Sequence, residues 1–237
     1  MMKNTIHNRL KTLKSFLQVA VNEEIIEFNP FKKFKIVLTT EDTDSVVFTK
    51  QELRELEALD FSDNPFYDQI RDQYLCYVWS GVRKGDLKNF LAVVNPKTKT
   101  FEFRTEKTGE KCEIPAFPAI KRLAEKYKYN FPEPIHDTIV LREIKEICKK
   151  IPSMKISVEK KYTKGGEPMR DIKQKFELVQ IHTARRTLAT LLVDHGLPYH
   201  QVMKITGHKK LSTLQKYIKS EADTDLMMEV GNRIDSE

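Results

Sequence analysis

Long apolar runs are missing from this 237-residue sequence. No stretch approaches the roughly 18 residues that a membrane-spanning helix needs, and the basic, polar N-terminus lacks the apolar core of a signal peptide. The cysteines are few: Cys76, Cys112 and Cys148 lie far apart and form no CxxC pair. That excludes a disulfide scaffold and leaves reduced thiols, as expected of a cytoplasmic protein. Internal repeats and low-complexity tracts are absent. So are a P-loop, a GxGxxG turn and a GxSxG elbow, which removes the commonest routes to nucleotide and serine-hydrolase chemistry. Four of the six histidines (His182, His195, His200 and His208) fall close together, but none of their spacings matches HExxH or a Cys/His zinc pattern. Neither a metal nor an organic cofactor is expected.

Positive charge is plentiful. The formal net charge is +7, the pI is about 9.1, and 32% of residues are charged. Such a balance suits a polyanionic partner, nucleic acid above all. Apolar spacing predicts mostly helices. Ile6, Leu10, Leu13, Phe16, Leu17 and Ala20 mark an amphipathic helix over 4–26 behind an Asn4 cap. Residues 27–47 have no periodicity and read as a linker. Thr49 and Glu52 form a capping box for a helix through Leu53, Leu56 and Leu59. Another helix runs over 67–80 and ends at Gly81, which can take the left-handed conformation.

The period then changes. Three short strands are predicted over 90–95, 99–105 and 111–115, with turns at Asn95-Pro96 and Thr108-Gly109. Helices follow at 117–128 and at 137–151, the second capped by Asp137. Gly165-Gly166 divides 154–180 into two lysine-rich arms of a long hairpin. Helices over 183–195, 198–206 and 212–220 close the sequence, the last opened by a Ser212/Gln215 capping box. The fold class is mainly α with a small antiparallel β-sheet.

Four segments hold residues able to act on a phosphate. His182 and Arg185 lie three apart at the start of a helix, where free backbone N–H groups favour an anion. Arg83 follows a helix end, with Asp86 three residues on to orient its guanidinium. Lys107 stands beside a glycine-containing turn. The segment GHKKLSTLQKY sets Tyr217 nine residues after His208 among three lysines. Taken singly, each is as readily a solvated charge or a packed tyrosine.

In order, GVRKGD, EKTG, HTARRT and TGHKKLSTLQKY resemble the tyrosine recombinase (integrase) family over about residues 48–220. The family pattern is an Arg, a hairpin Lys, HxxR, a GH and a Tyr nine residues later. That resemblance implies Tyr217 as nucleophile, Arg83, Arg185 and His208 on the phosphate, Lys107 as the acid for the leaving oxygen, and His182 on the tyrosine's proton, with Asp86 in support. It implies double-stranded DNA as substrate, with Lys84, Lys164, Arg186, Lys209 and Lys210 contacting it, and a tetramer of the full-length protein on DNA. Such a chain would be encoded by a phage, bacterium or mobile element.

Residues 1–36 resemble the last helix of the family's core-binding domain, and 37–47 its linker, so the sequence is expected to be a fragment whose first helix leaves its Leu10/Leu13/Leu17 face uncovered. A tail helix is expected over 221–237. The rival reading is a non-catalytic DNA-binding module on the same fold. A type IB topoisomerase would share the chemistry but fits the length and the GH-to-Tyr spacing less well. Tyr162 and Tyr199 are the alternative nucleophiles.

Overall fold

The computed structural model describes residues 1–33, 40–41, 45–107 and 109–218. The chain divides into two compact units, residues Met1–Ser45 with Ile156–Lys175, and Val46–Lys155 with Phe176–Glu237.

In the first unit, helix α1 (Lys3–Asn22) is followed by the short helix α2 (Pro30–Lys33) within the segment expected to be a linker. Asn4 does not cap α1. Met2 holds the cap position, and the Asn4 amide exchanges hydrogen bonds with the backbone of Glu41, donating to its carbonyl at 2.9 Å and accepting from its N–H at 3.0 Å. A side chain occupied by a distant partner is not free to close its own helix. Strands β3 (Ser157–Lys164) and β4 (Glu167–Gln174) pair antiparallel about the Gly165-Gly166 turn, as the sequence predicts. Gly165 N–H donates to the Met1 carbonyl, which ties the chain start to the hairpin tip. Along α1, Leu10 and Leu17 are half-buried while Leu13 and Phe16 stand in the open.

The second unit holds the main core. Helix α3 (Lys50–Ala58) begins with the expected box: Glu52 N–H donates to Thr49 Oγ1 and Thr49 N–H to the Glu52 carboxylate. Helix α4 (Pro65–Ser80) runs through the centre and is buried along most of its length. It ends on Gly81 at φ +62°, where a Cβ would lie 2.8 Å from Leu188 Cδ2. A side chain there would both strain the backbone and crowd Leu188.

Residues expected as a first strand, 90–95, are mostly helical: α5 (Leu87–Val93). Val93-Val94 favours a strand locally. Leu87 and Phe90, three apart, are nevertheless both buried on one helical face, and Phe90 sits edge-on to Phe101 and Phe103. Burying such side chains is worth roughly 1.5–3 kcal/mol each, more than the local preference at stake.

Among the described residues of this unit the sheet therefore has two strands, β1 (Thr100–Arg104) and β2 (Lys111–Pro115). Their register pairs Phe101 with Ile114 and Phe103 with Cys112, all four buried on one face. Helices α6 (Pro118–Lys126) and α7 (Asp137–Cys148) follow. The cap of α7 is His136, whose ring accepts from Thr138 N–H, and Asp137 is already inside the helix with its carboxylate on the Tyr77 hydroxyl.

Helices α8 (Ile181–Asp194), α9 (Tyr199–Thr206) and α10 (Leu211–Gln215) are the last among the described residues of the unit. Helix α10 opens at Lys210 without a side-chain cap and stops at Gln215, so the expected Ser212/Gln215 box is not formed and Tyr217 lies just beyond the helix. The expected tail helix, 221–237, lies outside the described residues.

Candidate active site

Arg185 is carried into the core by α8, whose apolar positions Ala184, Leu188 and Ala189 are buried. The start of that helix is fixed from two sides. Tyr74 of α4 donates its hydroxyl to the Gln180 carbonyl at 2.9 Å, and Thr183 Oγ1 accepts from Gln180 N–H. With 2% of its surface exposed, Arg185 donates from Nη1 to the Gly81 carbonyl at 2.7 Å and from Nη2 to the Thr206 carbonyl. Arg83, in the extended backbone after Gly81, donates from Nη2 to the Gly207 carbonyl at 3.3 Å and has Asp86 at 4.0 Å. Two glycine turns thus present carbonyls that aim two arginines at one place. Arg83 Nη1 and Arg185 Nε are buried and lack a hydrogen-bond partner among the described residues.

Gly207 ends α9 at φ +62°, and a Cβ on it would meet Cys112 Sγ at 2.7 Å. That close approach lays the turn against β2 and sets His208, 7% exposed, beside Arg185. His208 Nδ1 is 2.7 Å from Thr206 Oγ1, and Nε2 is 3.5 Å from Arg185 Nη2. Tyr217 N–H donates to the Leu214 carbonyl, and Leu214 is fully buried. This anchors the residue beside the core. The ring packs at 5.0 Å from His182 and 4.6 Å from His208, with the Arg186 guanidinium over it at 4.9 Å. Its hydroxyl is hydrogen-bonded to His182 Nε2.

Burial lowers His182 to about 4, helped by Arg185, Arg186 and Arg83. The ring is enclosed against Tyr217 although the residue as a whole is exposed. Burial first, then Arg185, Arg83 and His182, takes His208 to about 3. Both imidazoles are neutral at physiological pH, so His182 Nε2 is able to accept the tyrosine's proton. Arg185 falls only to about 10, through burial and the nearby charge of Arg83, and stays cationic.

Asp86, 2% exposed, accepts from Glu106 N–H at 2.7 Å and so joins the arginine turn to the lysine turn. Lys107 itself is exposed at the tip of that turn. An open groove of about 700 Å³ lies between them, lined by Arg83, Lys84, Asp86, Lys107, Gln180 and His182.

The structure brings Arg83, Asp86, His182, Arg185, His208 and Tyr217 together, with Lys84 and Lys107 on the rim. Arg186 holds the tyrosine segment, donating to the Lys216 carbonyl at 3.2 Å. Lys209 pairs with Glu110 at 2.7 Å, and Lys210 is exposed at the start of α10. Lys164 ends β3 in the first unit. Sequence reasoning missed Thr206 and Glu110. The first was visible as a hydroxyl residue directly before the Gly-His pair; the second had no signal. Among the described residues, no group of three or more His, Cys, Asp or Glu is arranged to hold a metal ion.

Comparison with known proteins gives the class. In fold this is a tyrosine recombinase-type catalytic domain. The Tn1549 transposon integrase, solved with transposon right-end DNA, matches at TM-score 0.60 and 15% identity over 98% of this chain and 80% of that one. A lambda integrase dimer bound to a core site matches at 0.60 and 18%, over 90% of this chain and 59% of that one. The XerA recombinase matches at 0.54 and 19%, over 96% and 82%. No curated protein sequence matches the chain. The phage integrase family model matches residues 47–223, and the phage integrase SAM-like domain model matches residues 1–36. The chain belongs to the phage integrase family, and site-specific DNA recombination is the function that membership assigns.

Proposed function

We propose that this chain cuts and rejoins DNA strands through Tyr217. The tyrosine oxygen attacks the scissile phosphorus and forms a 3′-phosphotyrosyl ester. The bond from phosphorus to the 5′-oxygen breaks, and that oxygen leaves with a proton from Lys107. His182, neutral and hydrogen-bonded to the hydroxyl, takes the tyrosine's proton. Arg83 and Arg185 hold the non-bridging oxygens, where charge grows in the transition state, and His208 donates to the same group. The ester keeps the energy of the broken bond, so rejoining by a 5′-hydroxyl needs no ATP.

The observation that carries this reading is the pair of unfilled guanidinium N–H groups beside a tyrosine hydroxyl held by a neutral histidine. Two arginine charges so enclosed are costly without an anion, and a phosphodiester supplies one. A purely DNA-binding role gives no reason for that tyrosine–histidine bond. The Tn1549 integrase and lambda integrase structures that this chain resembles are DNA complexes, which supports DNA as the partner. Exchange between two duplexes needs four cleavages, so four copies act together on DNA, in the cytoplasm of a cell carrying a phage or mobile element.

The test uses end-labelled, nicked duplexes of randomised sequence, with EDTA and without nucleotide. A labelled adduct that survives SDS is expected from the wild-type chain and none from Tyr217→Phe. That substitution removes one oxygen and its hydrogen bond, at a cost of no more than about 1.5 kcal/mol, so the fold is kept. Arg185→Ala should slow adduct formation roughly 100-fold or more while leaving the nucleophile in place. An undiminished adduct from Tyr217→Phe rules the assignment out and points to Tyr162 or Tyr199.

A further inference from the structure

Thr206, fully buried at the end of α9, places its hydroxyl oxygen 2.7 Å from the Val202 carbonyl and 2.7 Å from His208 Nδ1. A carbonyl only accepts, and a threonine hydroxyl has a single proton to give. That proton goes to Val202, so the hydroxyl oxygen is left to accept, and Nδ1 must carry a hydrogen. A neutral imidazole has only one, so Nε2 bears a lone pair. Nε2 faces Arg185 Nη2, a group that can only donate. The two 2.7 Å contacts set this proton order, and the longer approach to Arg185 agrees with it.

The geometry points to Thr206 as a positioning residue that locks His208 in its Nδ1–H form, so that His208 can donate to a phosphate oxygen from Nε2 only after taking up a proton. The identity of that phosphate rests on the proposed strand cleavage; the tautomer does not. The groups around His208 are Arg185 and His182 on α8, Arg83 after α4, Tyr217 after α10, and Cys112 on β2 against Gly207. In the free chain burial, together with the cations among them, keeps the ring neutral. A phosphodiester seated on Arg83 and Arg185 offsets their charge, so DNA engagement is coupled to proton uptake at His208. Without a hydroxyl before the Gly-His pair, the ring would be free to present Nε2–H while neutral.

Long-range proton–nitrogen correlation spectra of chain labelled with 15N-histidine read the hydrogen on each ring nitrogen directly. At neutral pH His208 should be a single Nδ1–H form in the wild type and in Thr206→Ser, while Thr206→Val should show a mixture containing Nε2–H. An Nε2–H ring in the wild type overturns the inference, and so does an unchanged tautomer in Thr206→Val. The wild-type and serine spectra decide the matter even if the valine variant does not fold. In the adduct assay, wild-type cleavage should weaken as pH rises through the titration of DNA-bound His208, and Thr206→Val should flatten that decline. Coincident pH profiles of the two chains would count against the lock. If no adduct forms at any pH while the spectra are as expected, strand cleavage fails and the tautomer assignment stands.

Discussion

Replacing Gly207 with alanine tests how tightly the histidine turn is built into the sheet. Gly207 has φ +62° and ψ 39°, the left-handed region, where a Cβ crowds the following carbonyl and costs about 1–2 kcal/mol. The added methyl would also sit 2.7 Å from Cys112 Sγ, inside any normal contact distance. Cys112 is buried near the start of β2, paired with Phe103, and has little room to retreat. Overpacking of that kind costs about 1–3 kcal/mol, so the two terms together predict a loss of about 2–5 kcal/mol. They separate in a double-mutant cycle with Cys112→Ala, which removes the sulfur and leaves the backbone term. Urea unfolding of the four chains should give a coupling of about 1–3 kcal/mol, with the alanine at 207 better tolerated when 112 is also alanine. If Gly207→Ala costs less than about 0.5 kcal/mol, or if the two changes simply add, then the turn is not pressed on the strand and the reasoning fails.

Asp86→Ala leaves Glu106 N–H without its acceptor and Arg83 without its carboxylate; a loss of about 1–3 kcal/mol in urea unfolding is expected, together with slower adduct formation. Stability should depend on pH in a set direction. His182 and His208 titrate near 4 and near 3 in the folded chain, below the ordinary 6.5, so the unfolded chain takes up protons first. Their contribution is complete above about pH 6.5 and is lost as pH falls towards 4 and 3; the urea midpoint should drop over that range, and less steeply in His208→Gln. DNA affinity should fall steeply with salt, by roughly 0.9 in the slope of log K against log salt per phosphate contacted, and a salt-independent affinity would refute the charge argument.

How much of this was legible beforehand differs from residue to residue. The Thr49/Glu52 box and the Gly81 stop were readable because they are local: a few neighbouring residues supply both donor and acceptor. The strand expected over 90–95 is mostly helix instead, because only Val93-Val94 speaks for a strand locally. The edge-on packing of Phe90 against Phe101 and Phe103, which holds the helix, is a contact across the fold. The caps at Asn4 and Asp137 failed for a related reason. Asn4 is occupied by Glu41 and Asp137 by Tyr77, partners that no local pattern reveals. At the site, the residue types were legible from their order and spacing. Which groups orient them was not, since most of the orienting acceptors are backbone carbonyls.

Those carbonyls explain why the two site arginines differ from another that looks the same in sequence. Arg71 is also buried, yet its guanidinium is bonded to Asp68 and Asp72, and the same carboxylates take Lys126. Its charge is neutralised and nothing further is called for. Arg185 is held instead by Gly81 and Thr206 carbonyls, and Arg83 by the Gly207 carbonyl with Asp86 only at 4.0 Å. A neutral acceptor fixes the direction of a guanidinium without cancelling its charge, so the attraction for an anion is kept. Holding such charge in place consumes folding energy, which the surrounding core must offset. Glycine at 81 and 207 lets the carbonyls reach the arginines, and helix α8 packed on α4 keeps them there. A carboxylate close to Arg185 would stabilise the empty chain and weaken its hold on phosphate, a trade suited to a structural arginine such as Arg71 and unsuited to a strand-cleaving one.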